Sequence, residues 1–268
     1  MRQGFAIIGL MALSPSILLA QPQAQQAAPA SRTALEAAVN SPTRTAANRA
    51  RDAARHPAET LAFFGIQPGQ TVVELIPGGG WYTEILAPYL GPQGRLLLAQ
   101  PAGRGAEALQ AKIAADPVYA RTALTAMPPT AEQVPDGSVD AVITFRNMHN
   151  LIMRGDGGER AVLARAFAML KPGGTLGIVD HRLPEDRPAE QERTSGYLKT
   201  STVRQAAEAA GFEFVAASEV NANSRDTADH PNGVWSLPPT LRGGDTDRAR
   251  FQAIGESDRM TLKFRKPL

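Results

Sequence analysis

The 268-residue sequence contains no cysteine. This absence excludes disulfide bonds, thiolate metal sites and cysteine nucleophiles, but it leaves the redox compartment undecided. The sequence also lacks an excess of either charge, since 28 basic and 26 acidic residues give a formal net charge of +2. A balance this even provides no extended basic surface, so we expect no nucleic-acid partner.

Long apolar runs are missing after the first twenty residues. A membrane-spanning helix needs about 18 continuous apolar residues, so we expect no span once a leader is removed. Residues 1–20 combine one early arginine with the apolar segment FAIIGLMAL, a Ser-Pro break and ILLA. This pattern is typical of a secretory signal peptide, and it predicts a periplasmic or secreted protein. Cleavage is expected after Ala20 or, as the alternative, later in the Ala/Gln/Pro-rich stretch that ends near Ala30. An uncleaved anchor or a misassigned start is the alternative.

The remainder of the sequence predicts three further parts. Residues 21–31 form a low-complexity linker, 32–56 a helical cap and 57–268 one α/β domain long enough to bury a full core. Within the cap, helical spacing over 33–39 and 45–55 is interrupted at Ser41-Pro42. The second helix carries four arginines, which form either a solvated basic face or part of a lid over a pocket: Arg44, Arg49, Arg51 and Arg55.

The α/β domain shows the alternation of strands and helices that a doubly wound sheet requires. Seven strands are predicted, at residues 71–76, 94–100, 121–126, 138–145, 175–181, 212–220 and 260–265. Helical spacing follows the first strand and recurs over 105–115, 159–170 and 200–210. We therefore predict a Rossmann-like, doubly wound, seven-stranded and mostly parallel sheet. In such sheets, ligands bind where the carboxyl ends of the strands meet.

A glycine turn, Gly78 to Gly80, joins the first strand to its helix. Glycine permits a tight turn and close ligand approach, and the helix N-terminus favours a carboxylate or a phosphate. A dinucleotide fingerprint would need a third glycine where Thr83 stands, and a phosphate loop would need a lysine, which 71–94 lacks. Neither of these two nucleotide motifs is therefore present.

The segment from Glu74 through IPGGG resembles motif I of the class I S-adenosylmethionine (SAM) dependent methyltransferases, E/D-x-G-x-G-x-G. Glu74, Gly78 and Gly80 are in register, and Ile76 replaces the first glycine. PDGSVDAVIT, MLKPGG and AAGFEFV are similar to later landmarks of that family. GYLKTSTV and GVWSLPPTL resemble segments of a group of exported bacterial predicted methyltransferases.

The resemblance covers roughly residues 57–266, and it implies SAM as cofactor and methyl transfer to O, N or C of a small molecule. It names neither the substrate nor the oligomeric state. An exported, non-catalytic binding protein that retains the fold is the alternative. A hydrolase is disfavoured because no G-x-S-x-G motif is present.

The resemblance also implies cofactor-binding residues. Glu74 would receive the amino group of SAM, with Gly78, Gly79 and Gly80 under its methionine part; otherwise Glu74 is a salt-bridge or cap residue. Gln100 stands where the family has an acidic residue for the ribose hydroxyls. The remaining candidates are Ala126 and Met127, which would flank adenine unless Met127 fills the core, and Arg146 after the fourth strand.

Catalytic candidates follow the fourth and fifth strands. In FRNMHN, residues 145–150, His149 could accept a proton near neutral pH and Asn147 could orient the nucleophile. Asp180 and His181 end the fifth strand at the same rim. Structural hydrogen bonding is the alternative role for these residues. No H-E-x-x-H motif or i, i+4 histidine pair is present, so we expect no metal site. A metal triad of His149, Asp180 and His181 is the alternative, and it rests on fold geometry alone.

Two later segments leave their roles open. Tyr197, Lys199 and Arg204 either line a pocket for an anionic group or have ordinary surface roles. Trp235 is either a packed loop anchor or a stacking platform for a ring-shaped substrate.

Overall fold

The computed structural model describes Met1 and residues 29–268. The rest of the predicted leader and the linker up to residue 28 lie outside the described residues. The linker prediction is wrong at its end, because helix α1 spans Pro29–Val39 and buries Leu35 and Ala38. In the described part of the chain, no helix combines the length and apolarity needed to cross a membrane.

One mixed sheet forms the centre of the molecule. Its strands are β1 Thr71–Leu75, β2 Arg95–Ala99, β3 Thr122–Thr125, β4 Val139–Phe145, β5 Leu170–Leu183, β6 Leu198–Lys199, β7 Glu213–Ser218 and β8 Arg259–Arg265. The order is β3-β2-β1-β4-β5-β8-β7, with β6 paired only to β5. Strands β1 to β5 are parallel, whereas β8 is antiparallel to both of its neighbours. The predicted fold class is confirmed.

Two details of the sheet differ from prediction. Strand β5 begins at Leu170, so the KPGG segment lies within it, and a register shift next to Val139 accommodates the extra residues. Gly173 has φ +77°, a conformation that a side chain would strain. The two-residue strand β6 lacks the length that makes a periodic pattern visible in a sequence.

The remaining helices are α2 Ala46–Arg49, α3 Asp52–Arg55, α4 Pro57–Phe64, α5 Thr83–Leu90, α6 Arg104–Ala115, α7 Met148–Ile152, α8 Gly158–Met169, α9 Thr200–Ala209 and α10 Arg248–Ile254. The single helix predicted over 45–55 is wrong, because the chain makes two short helices there. Helices α7 and α10 were not predicted; each is too short to carry a clear apolar period.

Both faces of the sheet are covered, as the unbroken apolar runs of its central strands require. Val73 and Leu75 of β1 point into one core, which also holds Val203 of α9. Val72 points into the other core, with Leu35 of α1. Full burial of such side chains is worth ~1.5–3 kcal/mol each. The N-terminal cap is therefore packed into the same structure as the sheet.

Candidate functional site

A cavity of about 410 Å³ opens at the carboxyl ends of β1, β4 and β5. Ile76, Pro77, Gly78 and Gly79 line it after β1, and Phe145 to Asn147, His149 and Asn150 after β4. His181 contributes from β5, Asn48, Arg51 and Arg55 from the cap, and Trp235, Glu256 and Ser257 from the segment between β7 and β8. The cavity thus lies at the rim where ligands bind in open α/β sheets.

The glycines of the turn have different roles. Gly78, at φ +58°, and Gly79 are exposed, and a Cβ on either would meet nothing within 4 Å. A Cβ on Gly80 would lie 3.1 Å from Leu109 of α6. Gly78 and Gly79 therefore leave room for a ligand, whereas Gly80 is required by helix packing.

Ile76 occupies the position of the missing motif I glycine, and its backbone has φ +52°. This left-handed conformation is strained for a β-branched residue. Hydrogen bonds hold it in place: its N–H donates to Ala99 O at 2.8 Å, and its carbonyl accepts from Asn147 Nδ2 at 3.1 Å. The backbone keeps the conformation that glycine would favour, even though the side chain differs.

Glu74 is 2% exposed and lies beneath the turn, where its carboxylate accepts a hydrogen bond from Thr83 Oγ1 at 2.7 Å. Burial raises the pKa of Glu74 to about 7, and the Thr83 hydrogen bond and the Lys112 charge only partly oppose the effect. Glu74 does not line the cavity, so its predicted contact with SAM stays a prediction.

The residues predicted to contact the ribose and the adenine also do not line the cavity. Gln100 Oε1 accepts a hydrogen bond from Gly78 N at 3.2 Å, which folds this side chain onto the turn. Ala126 is exposed, and Met127 is half-buried against the core. Gln100 directly follows β2, and Ala126 directly follows β3, so the predicted contacts with the ribose and the adenine stay predictions.

His149 and Asp180 form a buried hydrogen-bonded pair. His149 Nδ1 lies 2.8 Å from Asp180 Oδ1, and the His149 backbone N–H donates to Asp180 Oδ2 at 3.1 Å. The backbone N–H of His181 also donates to Oδ1, at 2.7 Å. These contacts fix the ring, and Nε2 is the His149 nitrogen left for another partner.

His181 lies next to this pair, with ring centroids 5.0 Å apart, and its Nδ1 is 2.5 Å from Ser257 Oγ. Burial, together with the charges of His149 and Arg146, holds the pKa of His181 well below its ordinary value, so the ring is neutral at pH 7. The predicted convergence of His149, Asp180 and His181 at one rim is confirmed.

The same three side chains could supply metal ligands, since one ligand atom from each lies within 4.8 Å of the others. However, Asp180 already accepts three hydrogen bonds from the protein. A metal ion at Asp180 and His149 Nδ1 would have to displace the bond between them. The expectation of no metal site stays a prediction.

Asn147 lies in the cavity wall with its amide nitrogen turned toward the sheet. Nδ2 lies 3.1 Å from the carbonyl oxygens of Ile76 and Phe145 and 3.3 Å from that of Leu75. It therefore ties the end of β1 to the end of β4. A role in orienting a nucleophile would fall to Oδ1, and that role stays a prediction.

Three of the four cap arginines are not part of a solvated face, so that alternative is wrong for them. Arg44 is 2% exposed and its Nη1 lies 2.7 Å from Asp52 Oδ2, whereas Arg51 and Arg55 line the cavity. Of the four, only Arg49 is exposed. Trp81 fastens the cap through a hydrogen bond from Nε1 to Asn48 O at 3.0 Å. The lid alternative matches this placement.

Glu256 and Ser257 are cavity residues that sequence reasoning missed. They precede β8, and because β8 runs antiparallel to β5 its first residues lie beside the last residues of β5: Arg259 pairs with His181. The antiparallel direction of the last strand is the signal that would have placed them at this rim.

The two later segments, one containing Tyr197 and the other Trp235, differ in their relation to the cavity. Tyr197 is fully buried, with its hydroxyl 3.0 Å from Asp226 Oδ2, and neither it nor Lys199 nor Arg204 lines the cavity. The pocket role suggested for these three residues is therefore wrong. Trp235 lines the cavity and is T-shaped to His149, with centroids 6.4 Å apart.

Comparison with known proteins supports the fold. No protein-family model matches the chain, and no curated protein does. A SAM-dependent methyltransferase from Aquifex aeolicus superposes with a TM-score of 0.55 at 15% identity, over 87% of this chain and 97% of that one. Geranyl diphosphate C-methyltransferase from Streptomyces coelicolor A3(2), solved with S-adenosylhomocysteine (SAH), gives 0.57 at 12%, over 86% and 87%.

A third structure, the [4+2]-cyclase SpnF, gives a TM-score of 0.59 at 16% identity, over 88% of this chain and 93% of that one. Identities this low establish the fold alone, and the cyclase shows that this fold serves more than one reaction. The chain therefore has the fold of the SAM-dependent methyltransferases, and its chemistry has to be argued from its own residues.

Proposed function

We propose that the protein is a SAM-dependent methyltransferase that acts on a small molecule. The observation that carries this proposal is that the open glycine turn and His149, which is hydrogen-bonded to the buried Asp180, line one cavity at the ligand-binding rim. A cavity of this volume suits a compact substrate. The known structures with this fold add support, because two of the three described above are methyltransferases.

The residues at the turn fit the proposed cofactor. Gly78 and Gly79 form a surface that no Cβ fills, and the helix N-terminus behind them favours the negative end of an amino acid. Gln100 offers both a donor and an acceptor at the ribose position, and Met127 offers an apolar face at the adenine position. When bound, SAM supplies an electrophilic methyl group on its sulfonium.

His149 is the proposed base for an O or N nucleophile. A proton leaving that atom would pass to Nε2 of His149, and the Asp180 carboxylate beside Nδ1 would stabilise the resulting imidazolium. The neutral His181 ring and Trp235 would exclude water from this end of the cavity. Most of the rate would come from positioning, with base assistance typically worth ~10²–10⁴-fold.

We also propose that residues 1–20 direct export, with the protein periplasmic or secreted, and that the chain belongs with exported methyltransferase-like proteins. The N-terminal pattern and the GYLKTSTV and GVWSLPPTL segments support this proposal. A fusion of residues 1–30 to a reporter that is active only outside the cytoplasm tests it. We expect reporter activity that is lost when Leu10 is changed to Arg; equal activity of both fusions would contradict export.

Methyl transfer tests the enzyme proposal. The chain is incubated with methyl-labelled SAM and a small-molecule extract, and label in the products is compared among variants. We expect transfer by wild type, a loss of at least ~10²-fold in His149→Ala and Asp180→Asn, and wild-type transfer in the exposed control Asp186→Asn. Equal transfer by all four proteins would show that the rim residues are not catalytic.

The alternative is an exported binding protein that keeps the fold without catalysis. The bond from Gly78 N to Gln100 Oε1 favours it, because that side chain covers part of the turn. Cofactor binding distinguishes the methyltransferase from the non-catalytic binding protein. Failure to bind either SAM or SAH at millimolar concentration would favour the binding protein.

A further inference from the structure

Four arginines converge beside the cavity, and we name Arg51, Arg55, Arg146 and Arg259 the arginine cluster. Three of them share the single carboxylate of Glu256. Arg51 Nη2 lies 2.6 Å from Oε1, whereas Arg55 Nε and Arg259 Nη1 lie 3.1 and 3.0 Å from Oε2. The fourth, Arg146, is half-buried and makes no hydrogen bond or ion pair through its side chain in the described chain.

The charges of the cluster are not balanced by the protein. Glu256 is the one acidic residue that lines the cavity, against Arg51, Arg55 and Arg146. Burial and repulsion by neighbouring arginines lower the pKa of Arg55 to about 9, and burial is also the largest cause that lowers the pKa of Arg146, to about 10. Both values leave the guanidinium groups charged at pH 7. Three positive charges therefore face the cavity with one negative charge between them.

This arrangement costs stability unless another negative charge joins it. Arg55 Nη2 is buried without a hydrogen-bond partner in the protein, and burying an unsatisfied charged donor is unfavourable. If Arg146 had only a structural role, an apolar side chain of similar length would fill that role equally well. Guanidinium groups are suited to bind carboxylate or phosphate oxygens in pairs.

We propose that Arg51, Arg55 and Arg146 form a subsite for a carboxylate or phosphate group of the substrate. The anion would lie at the cap side of the cavity, and the nucleophilic atom of the same molecule would lie toward His149, three residues along the chain from Arg146. Because it identifies the substrate class, this inference rests on the proposed function. The substrate is thus a compact anionic molecule.

Inorganic phosphate serves as the probe. The thermal midpoint of the chain is followed through a phosphate titration, with chloride keeping the ionic strength constant, in the absence and presence of saturating SAH. We expect phosphate to raise the midpoint in both series. Suppression of the effect by SAH would overturn the assignment to the substrate, because the arginines would then serve the cofactor's own carboxylate.

Arg146→Met distinguishes a binding role from a structural one. We expect this variant to have a higher midpoint than wild type in chloride and to bind phosphate at least tenfold more weakly. The matched control, Arg160→Met, changes a side chain of α8 that is 88% exposed, and it should equal wild type in both respects. A lower midpoint in Arg146→Met with undiminished phosphate binding would overturn the proposal.

A second variant keeps the test decisive if Arg146→Met does not fold. Arg51 is at the cavity edge and partly exposed, so Arg51→Met should fold and bind phosphate severalfold more weakly; unchanged binding would contradict the subsite. Phosphate binding by a chain that binds no SAH would support the anion subsite and remove the methyltransferase proposal. Failure of the anion subsite and failure of the methyltransferase proposal therefore give different results.

Discussion

Ile76 shows how one residue affects both stability and ligand approach. A left-handed backbone costs an L-residue ~1–2 kcal/mol, and this residue is also half-buried against the core. Glycine would remove the strain but add ~0.5–1 kcal/mol of backbone entropy and lose apolar burial. The relief of backbone strain is therefore similar in size to the combined loss of chain entropy and apolar burial, and the two oppose each other.

We therefore expect Ile76→Gly to change the free energy of unfolding by less than about 1 kcal/mol and to raise SAH affinity severalfold, because the branched side chain leaves the turn. Urea unfolding and calorimetry measure the two quantities. Ile76→Ala is the control: it loses the same burial and keeps the strain, so it should be the least stable. A glycine variant less stable than the alanine variant would show that strain is not significant here.

Glu74 links stability to pH. Its pKa in the folded state, about 7, lies above its ordinary value of 4.5, so the folded chain holds the proton more tightly than the unfolded chain. The contribution of Glu74 to stability therefore falls as pH rises from about 4.5 to about 7 and then levels off.

Glu74→Gln should remove that dependence. We expect the variant to be more stable than wild type by about 3 kcal/mol at pH 8.5 and nearly equal to it below pH 4. Unfolding in urea at several pH values measures the difference. A constant difference across the pH range would contradict the proposed titration. Weaker SAH binding by the same variant would support the predicted contact with the cofactor's amino group.

At the scale of elements, Glu256 joins the cap to the C-terminal part of the sheet. Its side chain is 9% exposed and contacts Arg51 and Arg55 from the cap and Arg259 from β8. Burial by itself would raise the pKa of Glu256, but these arginine charges outweigh that effect and lower it. The carboxylate is therefore charged in the folded protein.

Glu256→Gln should lower the free energy of unfolding by about 3 kcal/mol, because removal of one partner leaves buried guanidinium groups uncompensated. Urea unfolding measures the loss. The matched control, Glu219→Gln, removes a largely exposed partner of Arg182 and should cost less than about 1 kcal/mol. Equal effects of the two changes would show that Glu256 does not hold the cap in place.

Local patterns explain why some elements could be predicted and others could not. The strand at 71–76 and the helix at 159–170 carry apolar patterns and clear end signals, so they were found from the sequence. The break in the cap between Arg49 and Asp52 has no proline or glycine to announce it. Arg146 and Glu256 are more than a hundred residues apart, and only the sheet order brings them together.

At the scale of the whole molecule, the fold and the rim that carries the site could be predicted from the sequence. The seven predicted strands determine which turns face each other, so His149, Asp180 and His181 could be expected at one rim. The arginine cluster was not predictable as a unit, because it depends on how the cap and the segment before β8 fold over that rim. The proposed substrate subsite therefore lies mostly in the parts that local patterns do not define.

The central claim is that this fold binds SAM through its glycine turn, and titration calorimetry with SAH tests it most directly. We expect binding by wild type, matched by ~2.7 kcal/mol of added stability at a hundredfold excess over the dissociation constant. Gly78→Asp should abolish binding. The control Gly137→Asp should preserve it, since Gly137 also has positive φ (+62°), and a Cβ there also meets open space. No heat and no stabilisation with wild type at millimolar SAH would contradict the account.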